Sequence, residues 1–143
     1  MRNKAALRGR NATRRRGVAA VEFAMVAPLF ILLVFGILEY GRMVMVQQVL
    51  TNATREGARA AVLDGATSDS VAAKVNTYLH GASVPNATVT INPTNPSAAA
   101  MGDPVTVTAQ LTFGQVSWLP SPMYISSSQA LRASCVMRRE AAQ

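Results

Sequence analysis

The feature that most constrains this sequence is an apolar run of 21 residues, Val18 to Leu38, in which Glu22 is the single charged residue. At about 1.5 Å per residue, a helix of this run is about 31 Å long, which matches the hydrocarbon core of a bilayer. Pro28 lies inside the run, and membrane helices tolerate proline. The run therefore predicts a transmembrane helix, and we place the transmembrane segment at residues 18–41.

Positive charge is concentrated ahead of the apolar run. Residues 1–17 hold seven of the 14 Lys and Arg residues and none of the seven Asp and Glu residues. Basic residues beside a span keep that side in the cytoplasm, so Arg14, Arg15 and Arg16 are the topology signal. We expect a single pass through the inner (cytoplasmic) membrane, with the C-terminal domain periplasmic or extracellular. The leader has no aromatic residue for stacking, so we expect no nucleic-acid partner.

The helical pattern continues past the apolar run, which argues against a cleaved secretory signal peptide. In residues 42–63, apolar and small residues recur at helical spacing and polar residues fill the other faces. This segment predicts an amphipathic continuation, giving one helix of about 45 residues. Glu39 and Arg42 can pair on one face of it. Asp64-Gly65 is predicted to end the helix, because glycine adopts the left-handed conformation that a helix terminus needs.

Three small residues, Ala53, Gly57 and Ala61, follow one another at intervals of four. A small-xxx-small series lets another helix approach closely. It can equally be the face that accepts the chain's own sheet. We assign these residues to helix packing, with the intramolecular partner preferred.

Residues 64–143 predict a small extracytoplasmic α+β domain. A short helix is expected to begin near Ser68 or Asp69, either of which can cap it. Its apolar stripe is Val71, Val75 and Leu79.

Three antiparallel strands are predicted near residues 87–92, 104–113 and 129–138, where apolar and polar residues alternate. The Val105, Val107 and Leu111 side of the second strand is expected to face inward. The loop of residues 114–128 is unusually apolar, and it either closes the core or forms a contact surface. The predicted fold class is α+β, with a long N-terminal helix, a second short helix and a small sheet.

The sequence offers few candidates for catalytic or metal-ligating residues. The single cysteine, Cys135, excludes an internal disulfide, and the single histidine, His80, is more simply a surface residue than a ligand. No paired carboxylates, nucleophile–base set or glycine-rich phosphate loop is evident. We therefore expect no enzyme activity, no cofactor and no metal site.

The charge of Glu22 is energetically unfavourable inside the apolar run. A charge in an apolar helix costs about 2.5–3.5 kcal/mol at mid-bilayer and less near the edge. Glu22 either reaches the interface or has a designated partner. A free α-amino group on Val18, created by cutting after Gly17, would lie one helical turn away and could neutralise it within one chain or between chains.

The start of the apolar run also carries the most specific motif. A basic leader precedes Gly17, and four residues separate Gly17 from Glu22-Phe23. This arrangement resembles the processing site of type IV pilin-like proteins, and the Glu-Phe pair resembles their Flp/Tad branch. With the motifs from Phe35 to Arg42 and from Ala53 to Arg59, the segment of roughly residues 16–60 resembles the TadE-like family of the Tad pilus assembly system.

The resemblance implies a pseudopilin or minor pilin, a structural part of a Flp/Tad-type pilus or secretion apparatus that serves adhesion or secretion. A prepilin peptidase would remove residues 1–17 by cutting between Gly17 and Val18. Glu22 and Phe23 would then set register during assembly. The implied partners are this peptidase, other pilins and pseudopilins, the assembly platform and membrane lipid. The alternative is an uncleaved, single-pass membrane-anchored binding module that never enters a filament.

Overall fold

The computed structural model describes residues 5–85, 87–119 and 124–139, with residues 5–16 described by their backbone alone. Its elements are α1 (Ala5–Ala61), α2 (Ser68–Gly81), β1 (Thr88–Asn92), β2 (Pro104–Thr112) and β3 (Ala130–Arg138), with short 3-10 helices at Pro96–Ala98 and Phe113–Gln115. The chain divides into two compact units, one ending at Leu38 and the other beginning at Glu39. The predicted α+β class, with a long helix, a short helix and a three-stranded sheet, is confirmed.

Helix α1 is 57 residues long, which is longer than predicted. It begins at Ala5, inside the basic leader, because Ala, Leu and Arg favour helix and no proline interrupts them. Pro28 does not end it. Its last residue is Ala61, two residues earlier than expected, and Gly65 has the expected positive φ of 74° in the turn that follows.

Helix α2 begins at Ser68, as predicted, but its cap is a different residue. Thr67 is the N-cap, and its hydroxyl accepts a hydrogen bond from the Ser70 backbone N–H at 3.2 Å. The Ser70 hydroxyl oxygen in turn accepts from the Thr67 N–H at 3.1 Å. This reciprocal capping box satisfies two N–H groups at once, which a cap at Ser68 or Asp69 would not do in this register.

The sheet is antiparallel with β2 in the centre. Each observed strand lies within one residue of its predicted bounds. The register places Val107 between Ile91 of β1 and Cys135 of β3. Since side chains alternate between the two faces of a strand, this register puts most apolar residues of the three strands on one face, while Val136 lies on the opposite face and is exposed.

That face packs on α2 and on the second half of α1 to form the core of the unit that begins at Glu39. The core includes Val46, Leu50, Ala53, Ala58 and Ala61 from α1, Val71, Val75 and Leu79 from α2, and Val105, Val107, Ala109, Leu111 and Phe113 from β2 and the turn after it. At the centre, Gly57 allows close approach: a Cβ atom there would lie 2.4 Å from Val75 Cγ2 and 3.3 Å from Val107 Cγ1.

We expect Val107→Thr to lower the free energy of unfolding more than Thr106→Val. Val107 is fully buried, whereas Thr106 is half-buried on the other face of β2. A hydroxyl buried without a partner costs about 1–3 kcal/mol, and Thr106→Val buries no polar atom. Urea unfolding of the full chain in detergent, followed by the fluorescence of its single tryptophan, measures both variants. Equal losses would mean that the inward face of β2 is assigned wrongly.

We expect Gly57→Ala to destabilise the same unit although alanine favours helix. Overpacking costs about 1–3 kcal/mol, which exceeds the gain of up to about 1 kcal/mol from helix propensity. Gly41→Ala is the matched control in the same helix, because a Cβ atom at Gly41 meets nothing within 4 Å. The same urea titration should show a lower midpoint for Gly57→Ala and an unchanged or higher one for Gly41→Ala. A Gly57→Ala midpoint at or above that of the parent would contradict this packing.

Candidate membrane anchor and assembly site

The apolar run exposes its large side chains around the helix. Phe23 and Met25 are each 73% exposed, Leu29 69% and Ile37 63%. This part of α1 is long and apolar enough to cross a membrane, and none of its most apolar window is buried within the described protein. Apolar surface that the chain itself does not cover needs a bilayer or other apolar helices around it. The helix is therefore consistent with a single-pass membrane anchor.

The residues predicted for processing lie within this same continuous helix. Gly17 and Val18 are exposed, and a Cβ atom at Gly17 would meet nothing within 4 Å. Glu22 and Phe23 are exposed one turn further on. The helix brings Val18 and Glu22 to one face, since residues four apart are neighbours on a helix surface. The backbone of Arg14, Arg15 and Arg16 is helical, and their side chains lie outside the described part of the structure.

The small-residue series faces the chain's own domain. Ala53 and Ala61 are fully buried, and Gly57 lies against Val75 and Val107. Of the two partners left open by the sequence, the structure places the intramolecular one on this face. A helix of another chain has no access to these three residues while the domain is folded.

Two side chains of opposite charge are buried at the beginning of the second unit. Glu39 is 2% exposed and Arg42 is 8% exposed. A Glu39 carboxylate oxygen accepts a hydrogen bond from the Tyr124 backbone N–H at 3.0 Å. Arg42 Nε donates to the Val116 carbonyl oxygen at 3.0 Å, and a terminal nitrogen of its guanidinium donates to the Ser83 carbonyl oxygen at 3.5 Å. These contacts attach the 114–128 loop at two points, Val116 and Tyr124, to one turn of α1.

The 114–128 loop divides between the two roles considered for it. Val116 is buried and closes the core. Trp118 is 67% exposed and Tyr124 is 53% exposed. The Arg42 guanidinium carbon lies 5.0 Å from the centre of the Trp118 ring, which is a cation–π contact. Two further apolar loop residues, Pro120 and Met123, lie outside the described residues.

The backbone partners of Glu39 and Arg42 were not predicted, because their spacing indicated only that the two side chains can pair on one helix face. The structure shows that the Tyr124 N–H binds Glu39 and that the Val116 and Ser83 carbonyl oxygens bind Arg42. Their spacing was a usable signal: Glu39 and Arg42 continue the buried stripe of Val46 and Leu50 at helical intervals. Hydrogen bonds to charged groups are each worth about 1.5–3 kcal/mol, so these contacts determine where the loop lies.

A second polar cluster, which the sequence did not indicate either, lies at the far end of the domain. An Arg139 guanidinium nitrogen is 2.9 Å from a carboxylate oxygen of Asp64. The same side chain donates to the Ala99 carbonyl oxygen at 2.7 Å and to that of Ser97. Among residues 5–85, 87–119 and 124–139, no group of three or more His, Cys, Asp or Glu side chains could hold a metal ion.

We expect Glu39→Leu to lower the free energy of unfolding by about 1–3 kcal/mol, since the Tyr124 N–H loses the carboxylate that accepts its hydrogen bond. Glu39→Gln is the matched control, because an amide oxygen can accept the same hydrogen bond, and its loss should be smaller. Urea titration of the full chain in detergent measures both. If Gln and Leu destabilise equally, the hydrogen bond to Tyr124 is not what this residue contributes.

Of three comparisons with known proteins, one found a match, and that match lies within α1. The comparison with curated proteins and the comparison with solved structures each found no match. A family model described as TadE-like protein matches residues 17–59, which begin at Gly17 and end two residues before the end of α1. Over this segment the chain is similar to the TadE-like family, and the resemblance seen in the sequence is thereby confirmed.

Proposed function

We propose that this protein is a TadE-like pseudopilin, a structural and assembly component of a Flp/Tad-type pilus or of a related secretion apparatus. The observation that carries the proposal is the apolar part of α1. Its side chains are exposed on all sides, it contains one carboxylate, Glu22, and it lies in the segment that matches the TadE-like model. The role is structural, with no catalysis by the chain itself.

The same apolar surface serves two stages of this role. Before assembly, lipid surrounds residues 18–38 and retains the subunit in the inner membrane. During assembly, apolar helices of other pilins or pseudopilins replace the lipid. The Ala53, Gly57 and Ala61 face is occupied by the chain's own domain. Contacts between subunits in the bundle therefore use the apolar run.

Processing by a prepilin peptidase creates a positively charged partner for the Glu22 carboxylate. Cutting between Gly17 and Val18 removes seven bases and leaves seven bases with seven acids in the mature chain. It also creates an α-amino group on Val18, about 6 Å along the helix from Glu22. The carboxylate then has a positive partner in its own chain or a neighbouring one, and this pairing fixes the axial position of each helix.

The first test is the mature N-terminus, measured by mass spectrometry with and without a co-expressed prepilin peptidase. The parent should begin at Val18 only when the peptidase is present. Gly17→Leu should remain full-length in the membrane, because a large side chain obstructs approach to the bond, whereas the matched control Gly17→Ala should still be cut. An unprocessed parent in the presence of active peptidase would favour the uncleaved binding module.

The second part of the test separates processing from assembly. Glu22→Ala should insert in the membrane at least as well as the parent, because a costly charge is gone, and it should be cleaved. It should nevertheless fail to support pilus assembly, as should the isosteric Glu22→Gln, since neither has the negative charge that forms an ion pair with the new amine. Normal assembly by either variant would show that Glu22 is an interfacial charge without a role in register.

A further inference from the structure

We propose that the outer edge of β3 binds an extended acidic segment of another protein, which adds a fourth strand to the sheet. The site lies wholly within the unit that begins at Glu39, so it does not depend on cleavage of the leader or on filament assembly. Three features of β3 support the proposal: the direction of its backbone groups, its attachment to the domain and the charge of its exposed side chains.

The direction of the β3 backbone groups follows from its pairing with β2. In an antiparallel ladder, residues that bond to the neighbouring strand alternate with residues whose N–H and C=O groups point away from it. Just beyond the ends of the ladder, the Arg139 N–H donates to the Asp103 carbonyl oxygen at 3.0 Å, and the Phe113 N–H donates to that of Gln129 at 2.8 Å. The register between these bonds is continuous, so the odd-numbered residues of β3 bond to β2. The outer edge is formed by the outward backbone groups of Arg132, Ser134, Val136 and Arg138.

The outer edge is open along most of its length. Gln47 Nε2 donates to the Arg132 carbonyl oxygen at 2.7 Å, and no other group of the outer edge bonds to a residue that the structure describes. At the opposite side of the sheet, β1 is five residues long, and the Ala87 N–H that precedes it donates to the Asn76 side chain at 3.1 Å. Unpaired N–H and C=O groups on an exposed strand are a template for another strand. The sheet is therefore open to extension at β3.

The domain fixes β3 in a conformation that is ready for pairing. All nine of its residues are in register with β2. Its inward side chains Leu131 and Ala133 are buried in the core. Just after the strand, Arg139 is held by Asp64 and by the Ala99 carbonyl oxygen. A strand that is fixed in advance loses little conformational entropy on binding, which favours association.

The exposed side chains of β3 specify an acidic partner. Arg132 and Arg138 lie on the sheet face turned away from the core, opposite Gln110 and Pro104 of β2. Neither arginine forms an ion pair with any described residue. The outward positions of β1 and β2 add no charge to this face; they are Thr88, Thr90, Asn92, Pro104, Thr106, Thr108, Gln110 and Thr112. Because opposite charges in cross-strand pairs are favourable, the bound segment carries acidic residues six positions apart, about 20 Å along a strand.

A second copy of β3 fits this edge less well. If two β3 strands overlapped fully in antiparallel orientation, Arg132 of each copy would lie opposite Arg138 of the other. Like charges directly opposite each other destabilise strand pairing. The same two charges that discourage self-association thus favour an acidic strand.

The probe for this site is a fluorescein-labelled peptide, Glu-Thr-Val-Thr-Thr-Thr-Glu, whose two Glu residues lie opposite Arg132 and Arg138 when it pairs antiparallel with β3. Fluorescence anisotropy measures its binding to the full chain in a zwitterionic detergent. The same peptide with Lys in place of both Glu residues should bind at least about tenfold more weakly, since two unlike pairs become like pairs. Arg132→Gln combined with Arg138→Gln should remove the difference between the two peptides.

Two N-methylated forms of the Glu peptide test whether binding uses the backbone. Methyl groups on the third and fifth residues block the N–H groups that face β3, so this peptide should not bind. Methyl groups on the fourth and sixth residues block N–H groups that face away from β3, so this peptide should bind like the parent peptide. The two peptides have the same composition and charge, and they differ only in which side of the strand is blocked.

Variants at Ser134 provide an independent test on the chain itself. Ser134→Pro removes an N–H of the outer edge without removing a bond to β2, and proline is tolerated at such positions of edge strands. Ser134→Ala is the matched control, because both variants lose the hydroxyl that lies 3.1 Å from the Thr108 hydroxyl. The two should have similar urea unfolding midpoints, and only Ser134→Pro should lose binding of the Glu peptide.

No binding of the Glu peptide to the parent chain at concentrations up to about 1 mM would overturn the proposal. Equal binding of the two methylated peptides would exclude strand addition, and equal binding of the Glu and Lys peptides would exclude an acidic partner. A dimer in sedimentation that dissociates in Ser134→Pro and persists in Ser134→Ala would assign the edge to a second copy and overturn the acidic assignment. If Ser134→Pro unfolds, the methylated peptides still decide the question on the unaltered chain.

Discussion

The rest of the structure depends on a change in the surroundings of one helix, α1, along its length. Up to Leu38, α1 presents apolar side chains on every side, and from Glu39 onward it buries only one face. A helix can make this change without a break because its backbone hydrogen bonds are internal in lipid and in water alike. What must change is the side-chain pattern. The first two residues of the buried face after the change, Glu39 and Arg42, are charged.

Those two charges explain how a small domain keeps a long loop in place. The described residues of the loop, 114–119 and 124–128, have little secondary structure to define their path, apart from the turn at Phe113–Gln115. Buried ions must find hydrogen-bonding partners, since an unpartnered buried charge costs several kcal/mol. Here the loop backbone supplies the partners at Val116 and Tyr124, so the requirement of the ions determines the position of the loop. Arg139 has the same effect on the 92–104 loop at the opposite end.

The close contact at Gly57 has a consequence for assembly. Because α2 and β2 lie within the reach of a Cβ atom there, the small residues of α1 stabilise the subunit itself. They are therefore lost as a docking face for neighbours. The exposed apolar run, with its one carboxylate, is left to carry contacts between helices in the proposed bundle. Under the proposed function, folding and assembly would thus use separate halves of one helix.

The sequence by itself determined the features that depend on local pattern. The apolar run from Val18 to Leu38 and the period of the three strands are readable without knowledge of tertiary contacts, because they follow from the thickness of a membrane and the repeat of a strand. The motif beginning at Gly17 is readable as a resemblance to a known family. The partners of Glu39, Arg42 and Gly57 could not be read in that way. Each lies far from its partners in the chain. Only the packing of α2, β2 and the 114–128 loop on α1 decided that Glu39 and Arg42 bind loop backbone groups. The same packing decided that α2 lies in close contact with Gly57.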